Sequence, residues 1–118
     1  MKLFDSELKV MEVLWRDGPA AASRIAKILK EETGWNRNTT YTVIKKCVEK
    51  GAVDRQEPGF VCTPRILKEQ VQKEEAGARV DKIFDGSAPQ LFAALLGSGR
   101  MSRQEIDEMK KLVEEWDK

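Results

Sequence analysis

The chain has 118 residues, a formal net charge of +1, no histidine and two cysteines. That length suits one ordinary domain, or a small domain with a helical appendage. The near-zero charge excludes a polycation. Without histidine, a metal-ligand cluster or a glycine-rich phosphate loop after a strand, the sequence predicts neither an enzyme nor a bound cofactor.

The two cysteines, Cys47 and Cys62, lie in apolar stretches and lack metal-ligand spacing. We expect them to be small buried hydrophobic residues, with a redox switch between them as the alternative. No segment approaches the roughly 20 apolar residues of a membrane span. We therefore predict a cytoplasmic protein with no membrane contact and with reduced thiols.

Two helices are predicted at the start of the chain. Asp5 or Ser6 can cap the first helix, and apolar residues then recur at helical spacing as far as Trp15. The run 17–19, Asp-Gly-Pro, ends it. A second helix is predicted over residues 20–33, before Gly34.

A third helix is predicted between Asn36, a suitable N-cap, and Gly51, which suits a C′ position. One side of it carries an apolar stripe of Thr40, Val43, Ile44, Cys47 and Val48. The opposite side carries hydrogen-bond donors and no acid: Asn38, Thr39, Tyr41, Thr42, Lys45 and Lys46.

Two helices and a short turn before this donor-rich helix predict a helix-turn-helix, whose second helix enters a DNA major groove. Amides and hydroxyls can meet base edges, while lysines meet phosphates. The charge distribution fits, with 12 Lys/Arg against 9 Asp/Glu in residues 1–65 but 9 against 11 in residues 66–118. The alternatives are a solvated helix face, or a face that contacts another protein.

Two short β-prone runs follow, 52–56 and 60–64, joined by a turn that contains Pro58 and Gly59. A two-stranded ribbon is marginal alone, so it must pack on the helices. The predicted fold is thus mainly α with a small β-hairpin wing, a winged helix over residues 1–65. Within the wing, Arg55 is the candidate for a DNA-backbone contact.

Residues 66–118 predict three further helices: a long one over 66–84, a short apolar one after Pro89, and a last one that begins with a Ser102–Glu105 capping box. So short a region rarely folds alone. We predict a helical dimerisation domain, with packing back onto the winged helix as the alternative. The predicted interface residues are Ile83, Phe84, Leu91, Phe92, Leu95, Leu96, Ile106, Met109, Leu112, Val113 and Trp116.

Several stretches resemble the penicillinase-repressor family (BlaI/MecI): the start E-L-K-V-M-E-V-L-W over 7–15, Thr39 and Thr42 with Lys50-Gly51, and M-S-R-Q-E-I over 101–106. The resemblance covers nearly the whole chain. It implies a homodimeric bacterial repressor with its winged helix on a palindromic DNA operator. The predicted DNA contacts are Asn36, Arg37, Asn38, Thr39, Tyr41, Thr42, Lys45, Lys46 and Arg55.

The sequence departs from the family at three places. Tyr41 stands where relatives often have a basic residue, which affects operator preference. The best-known members are inactivated by a sensor protease at an Asn-Phe bond, where this chain has Ala94-Leu95, so the same cleavage is not expected. Copper-responsive relatives carry Cys-x-Cys motifs near the C-terminus, whereas this chain has no cysteine after Cys62.

Overall fold

The computed structural model describes residues 1–116, in which six helices and three strands form. In chain order they are α1 (Asp5–Asp17), β1 (Ala20–Ala21), α2 (Ala22–Thr33), α3 (Arg37–Glu49), β2 (Val53–Gln56), β3 (Val61–Pro64), α4 (Lys68–Ile83), α5 (Ala88–Gly97) and α6 (Arg103–Trp116). The mainly helical fold with a small β wing is confirmed.

The core lies where the first three helices meet the sheet. It is built mainly from the apolar stripes of the predicted helices, and its fully buried members include Val10, Met11, Leu14, Ile25, Leu29, Ile44, Cys47 and Cys62. Both cysteines are free thiols. Burial raises the pKa of Cys47 to about 12 and that of Cys62 to about 11, so both stay protonated at neutral pH.

The sheet contains three antiparallel strands in the order β1-β3-β2, rather than the expected two-stranded ribbon. Residues 20 and 21, predicted to be helical, pair with β3 in the register Ala20↔Cys62 and Ala21↔Val61. The N–H of Ala22 extends this pairing by donating to the carbonyl of Phe60 at 3.0 Å. No side chain caps the start of α2, so contact with β3 satisfies backbone groups there and overrides the helical preference of alanine.

Helix α1 begins at Asp5 with Phe4 as its N-cap residue, so the predicted capping by Asp5 or Ser6 is wrong. The Glu7 carboxylate accepts the Phe4 N–H at 2.7 Å and supplies the acceptor for this first turn. This contact is the glutamate half of a capping box, and no N-cap side chain supplies the other half.

The chain divides into two compact units, Met1–Glu75 and the part that begins at Ala76. The first unit includes the start of α4, which packs on α1. The Trp15 indole N–H donates to the Ile66 carbonyl at 2.9 Å, Lys68 pairs with Glu12 at 3.0 Å, and Val71 is buried. These contacts fasten the beginning of α4 to the winged helix.

The second unit holds the end of α4 with α5 and α6. Its helix starts are as predicted: Pro89 lies in the first turn of α5, and Ser102 and Glu105 form a reciprocal capping box at 2.9 and 3.1 Å. None of the described residues of α5 or α6 is buried. Local signals therefore define these helices, although they enclose no core of their own.

Candidate nucleic-acid interface

The start of α3 is set by two local signals. Gly34 ends α2 with φ +78°, a left-handed conformation that glycine adopts without a Cβ penalty. Asn36 then caps α3, because its side-chain oxygen accepts the Thr39 N–H at 2.8 Å. The turn between the helices is therefore short, and the Asn36 oxygen is used within the protein while its amide N–H₂ is left as a donor.

Helix α3 has one buried side and one open side. Thr40, Val43, Ile44 and Cys47 are buried. The open side presents five side chains, which we call the donor face: Asn38, Thr39, Thr42, Lys45 and Lys46, all exposed. The structure thus separates the predicted contact residues from the core by their position around the helix.

Tyr41 lies at the edge of the donor face and is only half-exposed. Its ring meets Phe60 edge to face, with centroids 5.8 Å apart. Arg37 stacks 4.8 Å from the Tyr41 ring and donates to the Tyr41 hydroxyl at 3.0 Å. Tyr41 therefore connects α3 to the wing, and it orients the Arg37 guanidinium.

The predicted wing contact, Arg55, has partners within the wing itself. Its Nε donates to Glu57 at 2.5 Å, and its guanidinium lies 3.5 Å from the centroid of the Phe60 ring. The hydrogen bond from Arg55 is the main reason that the pKa of Glu57 lies below its ordinary value. The Arg55 charge is consequently compensated at short range, which weakens its attraction for a second anion.

Other cations near α3 have no such compensation. Among residues 1–116, none of the following forms an ion pair: Arg24, Lys27, Lys30, Arg37, Lys45 and Lys46. They belong to α2 and α3. The surface formed by these two helices is therefore positive although the whole chain is almost neutral.

Sequence reasoning missed a buried ion pair behind α3. Glu7 is 1% exposed and meets Lys50 at 2.6 Å. Lys50 also donates to the Lys2 carbonyl at 2.9 Å and lies 4.3 Å from the centroid of the Phe4 ring. A glutamate in the first turn of an amphipathic helix is normally a surface residue, so no local signal indicates this contact.

Burial alone would raise the pKa of Glu7. Hydrogen bonds from Lys50 and from the Phe4 N–H, with the charges of Lys50 and Lys46, outweigh that effect and hold the pKa below its ordinary value of 4.5. Glu7 is therefore ionised at neutral pH, and the ion pair joins α1 to the C-terminal end of α3.

The predicted interface residues of the second unit are partly or fully exposed. Leu112 and Val113 are each 68% exposed and Trp116 is 86% exposed. An open groove is lined mainly by apolar side chains of α5, α6 and the turn before α6: Phe92, Leu96, Met101, Ile106, Met109 and Val113. So much exposed apolar surface is typical of a face that binds another protein surface.

No cluster of potential metal ligands occurs in residues 1–116. None of the helices in that range is both long and apolar enough to span a bilayer.

A helix pair joined by a short turn, with a three-stranded sheet beside its second helix, defines a winged helix-turn-helix protein. More narrowly, the chain belongs to the penicillinase repressor family, whose family model matches residues 3–115.

Similarity to individual proteins supports this family assignment. The chain is 25% identical over 116 residues to the penicillinase repressor of Bacillus licheniformis, covering 97% of this chain and 91% of that protein. The solution structure of the DNA-binding domain of the repressor BlaI is 30% identical, covers 57% of this chain and 84% of its own, and superposes with a TM-score of 0.53. Monomeric B. licheniformis BlaI in complex with the blaP half-operator is also 30% identical, covers 58% of this chain and 87% of its own, and gives a TM-score of 0.52.

Proposed function

We propose that this protein is a transcriptional repressor that binds a palindromic DNA operator as a homodimer and catalyses no reaction. The exposed donor face on the second helix of a helix-turn-helix carries the proposal; the one acid on that side of α3, Glu49, lies at the C-terminal end of the helix. Membership of the penicillinase repressor family supports it, as does the BlaI relative solved with a half-operator. Because bacterial DNA lies in the cytoplasm, we expect a repressor of this kind to be cytoplasmic.

The donor face divides into two chemical roles. Asn38, Thr39 and Thr42 read base edges in the major groove, because amides and hydroxyls can donate to and accept from them. Lys45 and Lys46 contact phosphates, which fix the position of the helix without reading sequence. Both roles need side chains that are free of internal partners, and these five have no side-chain hydrogen bond within residues 1–116.

Asn36, Arg37, Tyr41 and Arg55 border that face. Asn36 and Arg37 contact the DNA backbone with the donor groups that capping and stacking leave free. Tyr41 limits how closely the wing side of α3 can approach a base pair. Arg55 is the weakest of the proposed contacts, since Glu57 and Phe60 already engage its guanidinium.

We infer a division of labour in which residues 1–65 read DNA and residues 66–118 form the dimer. The exposed apolar residues of α5 and α6 would meet the same residues of a second copy, as an isologous two-fold interface requires. Two heads related by a two-fold axis then match the two halves of a palindrome. Any sensor protease that lifts repression would have to cut at another bond, because Ala94-Leu95 replaces Asn-Phe within α5.

The test is a titration of the purified protein against DNA from upstream of its own gene, at several salt concentrations, together with footprinting. We expect a symmetric protected palindrome and an affinity that falls steeply as salt rises, because bound phosphates release counterions. A scrambled duplex of the same length is the control. Equal, salt-insensitive binding to both duplexes would disprove operator recognition and favour a protein partner for the donor face.

A further inference from the structure

A second basic site lies beside the donor face. Helix α2 and the first residues of α3 enclose a cleft of about 250 Å³, which we call the α2–α3 cleft. Its lining residues are Ser23, Ala26, Lys27, Lys30, Asn36 and Arg37. Three of these six carry a positive charge and none is acidic, so the cleft is suited to an anion.

The positive charges around the cleft lie close together and have no acidic partner in the described part of the chain. Some basic side chains of this unit are compensated, as Arg16 is by Asp17 and Glu32. Lys27, Lys30 and Arg37 meet no carboxylate within 4 Å among residues 1–116. Like charges around one cleft repel each other, and an anion between them would remove that repulsion.

The remaining polar groups of the cleft also favour an anion. The Asn36 oxygen is already occupied by the Thr39 N–H, which leaves the side-chain N–H₂ group to donate. Ser23 is exposed and offers a hydroxyl donor. Arg37 uses one N–H group on Tyr41 and keeps others free. Every charged group in the wall is therefore a hydrogen-bond donor that matches a phosphate oxygen.

The position of the cleft suggests the source of the phosphate. Asn36 and Arg37 line the cleft, and the next residues of α3, Asn38 and Thr39, belong to the donor face. A DNA strand whose bases meet the donor face would carry its backbone past the start of α3. In the wing, by contrast, the Arg55 charge is compensated by Glu57. The α2 lysines thus supply backbone attraction that the wing provides only weakly.

We propose that the α2–α3 cleft binds one backbone phosphate of the operator in each half-site, held by Lys27 and Lys30 with Ser23 and Arg37. This assignment rests on the proposed function. It adds Ser23, Lys27 and Lys30 to the DNA contacts, and it makes α2 a second anchor on the DNA besides the lysines of α3.

The experiment combines a double variant, Lys27→Gln with Lys30→Gln, with operators in which single phosphates are replaced by neutral methylphosphonates. We expect one position per half-site at which neutralisation weakens wild-type binding by about tenfold, the effect of losing a charge-assisted hydrogen bond. The double variant should be insensitive at that position and as sensitive as wild type elsewhere. Its salt slope should fall by about one per half-site, because the two lysines neutralise a single phosphate there.

Lys9→Gln is the matched control, since Lys9 is an exposed lysine of the same unit outside the cleft. It should leave both the slope and the methylphosphonate pattern unchanged. If the double variant keeps the wild-type pattern at every phosphate while the wild type still prefers its operator, the cleft assignment is wrong and the proposed function stands. If the wild type shows no operator preference, the proposed function itself fails.

A second arm separates DNA phosphate from a free anion. Inorganic phosphate is titrated into the wild-type protein without DNA, and the amide NMR signals of residues 23–30 are followed. We expect changes only at millimolar concentrations, because one isolated phosphate lacks the other contacts of the duplex. Micromolar binding of inorganic phosphate that displaces the operator would overturn the assignment and make the cleft a small-anion site.

Discussion

Two lysines of the α3 region lie four residues apart, yet their charges have different surroundings. Lys50 is neutralised by the buried Glu7 carboxylate, and Lys46 is exposed without an ion pair in residues 1–116. A lysine that is already paired with a carboxylate inside the protein attracts a phosphate only weakly. At the scale of single residues, the potential for DNA contact therefore follows from which cations lack an internal partner.

The two proposed roles of the donor face can be separated by substitution. Thr39→Ala should cost roughly 1–3 kcal/mol on the preferred operator and relax specificity at one base pair, because a base-edge contact is lost. Lys46→Ala should weaken binding to all sequences alike and lower the salt slope by about one. Binding isotherms on an operator library at several salt concentrations measure both effects.

Thr39→Ser is the control for the first variant, since it keeps the hydroxyl. A change of sequence preference in Lys46→Ala without a change in its salt slope would contradict the phosphate role.

The buried ion pair predicts an acid dependence of stability. Because the folded state lowers the pKa of Glu7 below 4.5, ionised Glu7 stabilises the protein above the unfolded-state value. That contribution should disappear as the pH falls through the lower, folded-state value. Urea denaturation of the wild type and of Glu7→Gln between pH 7 and pH 3 measures it, and the difference between their free energies of unfolding should shrink toward low pH. A constant difference would show that the Glu7 charge contributes nothing.

At the scale of elements, α3 depends on its cap for a defined start. Asn36→Ala removes the acceptor for the Thr39 N–H and should destabilise the unit by about 1 kcal/mol. Asn36→Asp keeps the acceptor and should change stability by only a few tenths of a kcal/mol. Chemical denaturation compares the two.

DNA affinity should fall in both Asn36 variants: the aspartate repels phosphates, and the alanine loosens the first turn of α3. If Asn36→Asp proves as destabilising as Asn36→Ala, the capping hydrogen bond is not the source of the stability.

The strand β1 shows how one element can depend on another. Ala20 and Ala21 have strong helical propensity and no strand pattern, yet they form the outer strand of the sheet. Their pairing with β3 closes the edge of the wing that faces α2, and it places the start of α2 at Ala22. The position of the proposed phosphate cleft on α2 therefore depends indirectly on the sheet.

At the scale of the whole molecule, the two units differ in how they hide apolar surface. The first encloses a core between three helices and a sheet, whereas α5 and α6 leave Leu96, Val113 and Trp116 more than half exposed. Apolar surface on this scale is stabilised when it is buried against a partner. The proposed homodimer accounts for that exposure.

Val113→Asp should convert the proposed dimer to a monomer, because a carboxylate would be buried in the apolar interface without a partner. Sedimentation equilibrium measures the change. Operator affinity should fall strongly, while the fold of the first unit should persist. Gln104→Asp, which adds the same charge at another exposed position of α6, is the control and should remain dimeric. A Val113→Asp protein that stays dimeric would place the interface elsewhere.

The sequence alone determined the features that depend on neighbouring residues. The spacing of apolar residues indicated the helices. Asn36 and Gly51 marked the two ends of α3, and the capping box of Ser102 and Glu105 marked the start of α6. The composition of the donor face could be read in the same way, because residues three and four apart share one side of a helix. These interactions join residues within a single helical turn, so they can be recognised from the spacing of residues in the sequence.

Tertiary structure alone decided the contacts between residues that are distant along the chain. Glu7 and Lys50 meet across 43 positions, and β1 pairs with a strand some 40 residues later. The engagement of Arg55 and Tyr41 by Phe60, and the grouping of the α2 lysines with Arg37, likewise follow from packing. Burial and charge compensation depend on what surrounds a side chain in three dimensions, and no periodicity in the sequence encodes that environment.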